Sequence, residues 1–191
     1  MLDQLHPKFQ FMNDLFSMRS RGHWDLKKFH TMYRKHSVGE ESVEEEVQVT
    51  ADFMEEANRD WCETVVVPSN HDKHLERWLE EADFRIDPTN AKYFCWLQYN
   101  YLDQIDRDNR SFNILEFALG NLGAPIARYL DIDESFVICR DAPNGGIECG
   151  LHGHEGSNGA RGSTQGLTKL GRAINKGHDH TAAIRLNVYS A

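Results

Sequence analysis

Residues 64–72, Thr-Val-Val-Val-Pro-Ser-Asn-His-Asp, set the reading of the whole chain. Three consecutive valines suit a strand covered on both faces. Pro68 has no N–H with which to extend a ladder, so the chain turns there. Asn70, His71 and Asp72 then arrive together at the strand's carboxyl end, where open α/β sheets place ligands. An amide oxygen, an imidazole and a carboxylate at that edge suggest a metal or phosphate site. The tripeptide alone is a weak signal. It gains weight from residues 150–154 (GLHGH) and 177–180 (GHDH), which crowd further histidines into glycine-bearing loops.

Residues 7–14 (PKFQFMND) alternate Phe9, Phe11 and Asn13 on one side, a short strand that also ends in polar groups. Residues 17–25 carry Arg19, Arg21, His23 and Trp24 around a glycine and read as a loop. Ser42 and Glu45 have the spacing of a capping box and open a helix over 43–58, with Val43, Val47, Thr50, Ala51 and Met54 on one stripe and the acids on a solvated face. Helices are expected over 74–81, with Leu75, Trp78 and Leu79 inward, over 90–105, whose aromatics read as core, and over 113–122. Residues 135–140 and 146–151 flank a turn-rich linker and predict a β-hairpin that runs into His152. A short helix over 168–175 and a last strand over 183–189 complete the pattern. Strands and helices alternate early and β dominates later, so the class is α/β.

The 191 residues fit one domain, 1–191, and 40% hydrophobic residues suffice for a core. No apolar run approaches the roughly 20 residues of a bilayer crossing, and no basic-then-apolar leader opens the chain, which predicts a soluble intracellular protein with no membrane partner. Cys62, Cys95, Cys139 and Cys149 lack Cys-x-x-Cys pairing and read as free, buried thiols. Structural zinc sites want closely spaced cysteines, so a zinc finger is set aside. A formal net charge of −9 argues against a broad nucleic-acid footprint. It leaves a nuclease open, because bound cations supply positive charge where a phosphate docks.

Divalent metals acting on phosphate esters take oxygen and imidazole ligands, and a pair roughly 3.5–4 Å apart activates water while clamping the leaving oxygen. The chain offers such a set. Asp14 has two oxygens with which to bridge cations, Asn70 a neutral amide oxygen, and His152, His178 and His180 nitrogens that add no charge. His71, beside Asn70, is placed to donate a proton to the leaving group, with Asp72 orienting its ring.

Residues 13–17 (NDLFS), 69–72 (SNHD), 150–154 (GLHGH) and 177–180 (GHDH) resemble, in order and spacing, successive signature blocks of the calcineurin-like metallophosphoesterases. PSNHDKHLERWLEEADFRIDPTNA and the Gly-x-His-Gly-His followed by SNGARGS are similar to a bacteriophage-type branch of that superfamily. The likeness runs over nearly all of the chain. It implies a sandwich of two β-sheets flanked by helices. It also implies two divalent ions, Mn²⁺ first and Mg²⁺, Fe²⁺ or Zn²⁺ as alternatives. Asp14 would bridge them, with Asn70, His152 and His178 on the second metal and His180 on the first. The branch adds Arg19, Arg21, His23, Arg77, His154, Asn158 and Arg161 as phosphate or substrate contacts. The expected activity is hydrolysis of phosphodiesters, with DNA as the substrate of a phage-encoded enzyme working in host cytoplasm; a phosphomonoesterase or nucleotide phosphatase is the alternative on the same scaffold.

The pattern departs from the family at both ends. The Asp-x-His block that normally opens it has no counterpart before Asp14, and the chain stops soon after the strand that follows His180. A fragment of a longer phosphoesterase is therefore expected, incomplete at both ends, with an open sheet edge beside the strand carrying Asp14 that invites self-association. A remnant that binds one metal or serves as an interaction module is the reading from a different class.

Overall fold

The computed structural model describes residues 2–132, 134–156, 162–178 and 182–190. In chain order the elements are α1 (Leu2–Leu5), β1 (Phe9–Asn13), α2 (Phe29–Val38), α3 (Val43–Ala57), β2 (Glu63–Val67), α4 (Lys73–Glu81), α5 (Ala91–Asp106), α6 (Ile114–Asn121), β3 (Arg128–Tyr129), β4 (Val137–Ile138), β5 (Ile147–Glu148), α7 (Thr164–Leu167), β6 (Ala173–Lys176), β7 (Ala183–Arg185) and β8 (Val188–Ser190). Single 3₁₀ turns lie at Phe84–Ile86 and Thr168–Leu170. The chain is mixed α/β, with two sheets. It divides into two compact units, one made of Met1–Leu15, Asp60–Asn70 and Ile126–Ala191, the other of Phe16–Arg59 and His71–Pro125.

The first unit holds every strand. β1, β2 and β3 form a parallel three-stranded sheet in that order, and β1 and β2 pair from Phe9 with Glu63 to Asn13 with Val67. Thr64 through Val67 are all buried, as a central parallel strand requires. Val65 and Val67 pack with Leu130, and the Phe136 ring meets Phe9 and Phe11 edge-on, with centroids 5.3 and 5.4 Å away. The second sheet is mixed, in the order β4-β5-β6-β8-β7, and its small core is Leu167, Ile174 and Val188.

The second unit is helical. Ser42 caps α3 by accepting the Glu45 N–H at 3.1 Å, and Val43, Val47, Thr50, Ala51 and Met54 are its buried residues. α3 packs on α6, α4 packs on both α5 and α6, and Trp78 meets Phe94 edge-on at 4.9 Å. Asn90 is 1% exposed; its amide oxygen accepts the Val43 N–H at 2.8 Å, which fixes the start of α3 on the start of α5.

Four expectations change. Residues 173–176 belong to strand β6 rather than to a helix over 168–175: Gly171, at φ 68°, ends the preceding 3₁₀ turn, and Ala173 and Ile174 are buried between β5 and β8. The last strand is two strands, β7 and β8, split by a turn in which Leu186 has φ 48°. Of the aromatics in α5 only Tyr93 and Phe94 are buried, while Tyr99 is 71% exposed. Cys62 and Cys149 are buried free thiols, but Cys95 and Cys139 are exposed. No described helix is long and apolar enough to cross a membrane.

Candidate functional site

The first unit assembles its polar groups through strand register. Because Asn13 pairs with Val67, Asp14 follows one strand and Pro68-Ser69-Asn70 the other at the same sheet end. In the second sheet Glu148 pairs with Ile174, so His152 and His178 each lie four residues beyond a matched pair. Their rings stand 5.2 Å apart at 77°, and His154 lies 5.4 Å from His152 and 6.3 Å from His178.

The two sheets meet at these ends. A Cβ on Gly177 would come within 2.8 Å of Asn13 Cβ, so the backbone before His178 lies directly on the residue before Asp14. The outcome is a short approach: His152 Nε2 is 3.5 Å from Asp14 Oδ1, with the imidazole side chain 1% exposed and the carboxylate 27%. Asp14 and His178 both adopt left-handed backbone, φ 50° and 68°. Such conformations are costly for residues other than glycine and recur where a side chain must be aimed.

Two residues that sequence reasoning missed hold this arrangement. Glu148, 6% exposed, accepts hydrogen bonds from the N–H groups of Phe136 at 2.8 Å and Gly150 at 2.9 Å and from the Ser135 hydroxyl, pinning the turn into His152. Lys176, 2% exposed, runs its alkyl chain behind Gly153, where a Cβ would sit 2.7 Å from Lys176 Cδ and φ is 90°. A charged residue within a short apolar strand was the available signal for each.

The donors suit a divalent cation. Two ligands about 2.1 Å from one ion, at about 110°, stand about 3.4 Å apart, close to the Asp14–His152 separation. The amide oxygen of Asn70 is buried with no hydrogen-bond partner among the described residues, the condition in which a buried acceptor gains most from a ligand. No three His, Cys, Asp or Glu side chains among the described residues are gathered closely enough to hold a metal by themselves. His180, Asn158 and Arg161 lie outside the described residues.

The remaining expected residues belong to the second unit. His71 and Asp72 lead into α4, and His71 stacks on His74 at 5.3 Å, which in turn meets His23 at 5.1 Å. Burial, and then neighbouring His71, hold the His74 imidazole below its ordinary pKa. Arg77 is exposed and reaches Glu81 at 3.9 Å. Arg21 has another role than substrate contact: it is 7% exposed and grips Asp87 through two hydrogen bonds of 2.6 and 2.7 Å. Arg19 lines a cavity of about 440 Å³ with Ser20, Lys35, Glu45 and Glu46, and its backbone N–H donates to Glu46 at 2.7 Å.

Among known proteins, the chain is 36% identical over 195 residues to a protein of Escherichia phage T5 described as Protein A1. The match covers all of this chain and 34% of that protein, so the chain spans about a third of the length of this relative. No family model matches, and no solved structure matches.

Proposed function

We propose that the chain is a metal-dependent phosphoesterase of the calcineurin-like type, acting on phosphodiester bonds. The observation that carries this reading is the Asp14–His152 pair, 3.5 Å apart where the strand ends of two sheets meet. The resemblance of residues 13–17, 69–72, 150–154 and 177–180 to the family's blocks adds to it. Asp14, Asn70, His152 and His178 would hold divalent cations of the Mn²⁺ type, and His180 completes the proposed set. Bound cations supply Lewis acidity, activating water and stabilising the leaving oxygen. Asp14 contributes the charge that attracts them, His152 a nitrogen fixed by burial, and Asn70 a neutral oxygen that leaves room for a phosphate's own negative charge. His154, whose Nδ1 is buried without a partner among the described residues, offers a donor to a phosphate oxygen.

Purified chain supplied with Mn²⁺ should cleave bis(4-nitrophenyl) phosphate, and Asn70→Ala or His178→Ala should remove more than a hundredfold of that activity; unchanged turnover in either variant rejects the site. Rates on matched mono- and diesters separate this function from a phosphomonoesterase. The alternative from a different class is a chain that binds one metal without turnover. Elemental analysis tests it: about two ions per chain support the enzyme, and one or none the remnant.

A further inference from the structure

The 19–38 segment is barely used by the proposed chemistry. It contains six Lys or Arg residues against one Asp, a net of +5 in a chain of net −9, so the other residues together carry −14. Part of this charge is already engaged. Arg21 grips Asp87, and Lys28 and Lys35 reach Asp25 at 3.1 and 3.0 Å. Arg19, Lys27 and Arg34 make no ion pair among the described residues.

The helix in this segment is unusual in its burial. Globular helices are held by an apolar face packed on a core, yet α2 has no buried residue. Phe29 is 76% exposed and Tyr33 62%, with Trp24, 76% exposed, just ahead of them. Phe29 and Tyr33 are four residues apart on one stripe, their rings stacked at 6.2 Å and 26°, and His30 and Arg34 form the adjoining stripe. At the amino end, Lys28 provides no side-chain cap. Lys27 and Lys28 thus sit against the positive end of the helix dipole, an arrangement that an anion would relieve.

Solvent-facing rings interleaved with unpaired cations are the two components of single-strand recognition, in which bases stack on aromatics and phosphates are neutralised. We propose that the face built from Trp24, Lys27, Phe29, Tyr33 and Arg34 docks single-stranded nucleic acid. An interfacial membrane helix would instead separate a broad aliphatic stripe from its charges, and the only aliphatic side chains in α2 are Met32 and Val38. The inference deepens the phosphodiesterase reading by giving it a polymeric substrate, and binding can be measured without cleavage.

The test is fluorescence anisotropy of a labelled oligothymidylate of about 20 nucleotides, in EDTA, over a range of salt. The chain should bind, and Lys27→Glu with Arg34→Glu should weaken binding at least tenfold and flatten the log–log salt slope by about 1.4, two phosphate contacts at about 0.7 each. Phe29→Ala with Tyr33→Ala should weaken binding about tenfold with the slope unchanged. All four positions are at the surface, and unchanged circular dichroism establishes that the variants fold. Absence of binding by the parent chain, equal affinity in all variants, or binding to phosphatidylserine vesicles without binding to the oligonucleotide overturns the proposal. Hydrolysis of bis(4-nitrophenyl) phosphate separates the two readings. If the α2 variants keep that activity but lose the oligonucleotide, both stand; if the parent chain has no such activity yet the α2 variants lose the oligonucleotide, the docking face stands and the phosphoesterase falls.

Discussion

Arg21 illustrates how one side chain's environment overrides its reading in sequence. The family resemblance makes Arg21 a phosphate or substrate contact; here its fork is closed on Asp87, with Glu41 3.6 Å away. Burial alone would raise the Asp87 carboxyl, but hydrogen bonds from Arg21 and Asn90 outweigh it and hold the group below its usual range. Arg21→Ala should therefore destabilise the chain by about 2–3 kcal/mol in urea unfolding, below the ~3–5 kcal/mol of a fully buried pair because the Asp87 side chain is 18% exposed. A loss within error would show that the clamp is incidental. The cysteines make a second case. Burial pushes the Cys149 thiol up to about 12 and also raises Cys62. An aromatic disulfide reagent at pH 8 should label Cys95 and Cys139 quickly and leave Cys62 and Cys149 until denaturant is added. The sequence reading of four free, buried thiols holds for Cys62 and Cys149 and fails for Cys95 and Cys139, because spacing along the chain carries no information on which of them face solvent.

Elements whose pattern was periodic and capped are those the sequence located well. α3 carries both signals, a capping Ser42 and an inward stripe, and Ser42→Ala should lower stability by about 1 kcal/mol. α6 begins where the Asn113 side chain accepts the Leu115 and Glu116 N–H groups at 2.9 and 3.1 Å. Leu115 is fully buried there, and Leu115→Ala should cost about 3 kcal/mol, read from the shift in urea midpoint at constant m-value. α2 is the converse case: its short apolar stripe of Phe29, Met32 and Tyr33 is diluted by four basic or histidine side chains, no side-chain cap marks its start, and none of its residues is buried. β6 was misread because Ala173 and Ile174 also fit a helical stripe, and what decides the matter is pairing with β5 and β8, two partners distant in sequence.

At the scale of the whole molecule, stability should depend on pH with a definite sign. Because the folded state holds His74 below its ordinary value, the unfolded chain takes up that proton first, so stability is full above about 6.5 and declines as pH falls below it. A lowered carboxyl such as Asp87 acts lower down: its contribution is present above the unfolded value near 3.8 and is lost as pH falls through the folded one. Thermal unfolding of the parent chain and of His74→Gln at pH 8 and pH 5.5 checks the first step, and the variant should lose less on acidification. Of the candidate centre, the sequence made the two strand ends and the histidine loops legible, since polar residues directly after apolar runs are visible in one dimension. Glu148 and Lys176 are visible in it only as charges inside short apolar strands; what each of them holds depends on neighbours brought up by folding.

At Gly177 backbone lies against a side chain: a Cβ there would meet the Cβ, Cγ and Oδ1 of Asn13 at 2.8, 2.9 and 3.1 Å. One added methyl group at position 177 would force the Asn13 side chain, and with it the residue before Asp14, to move at the point where the two strand ends meet.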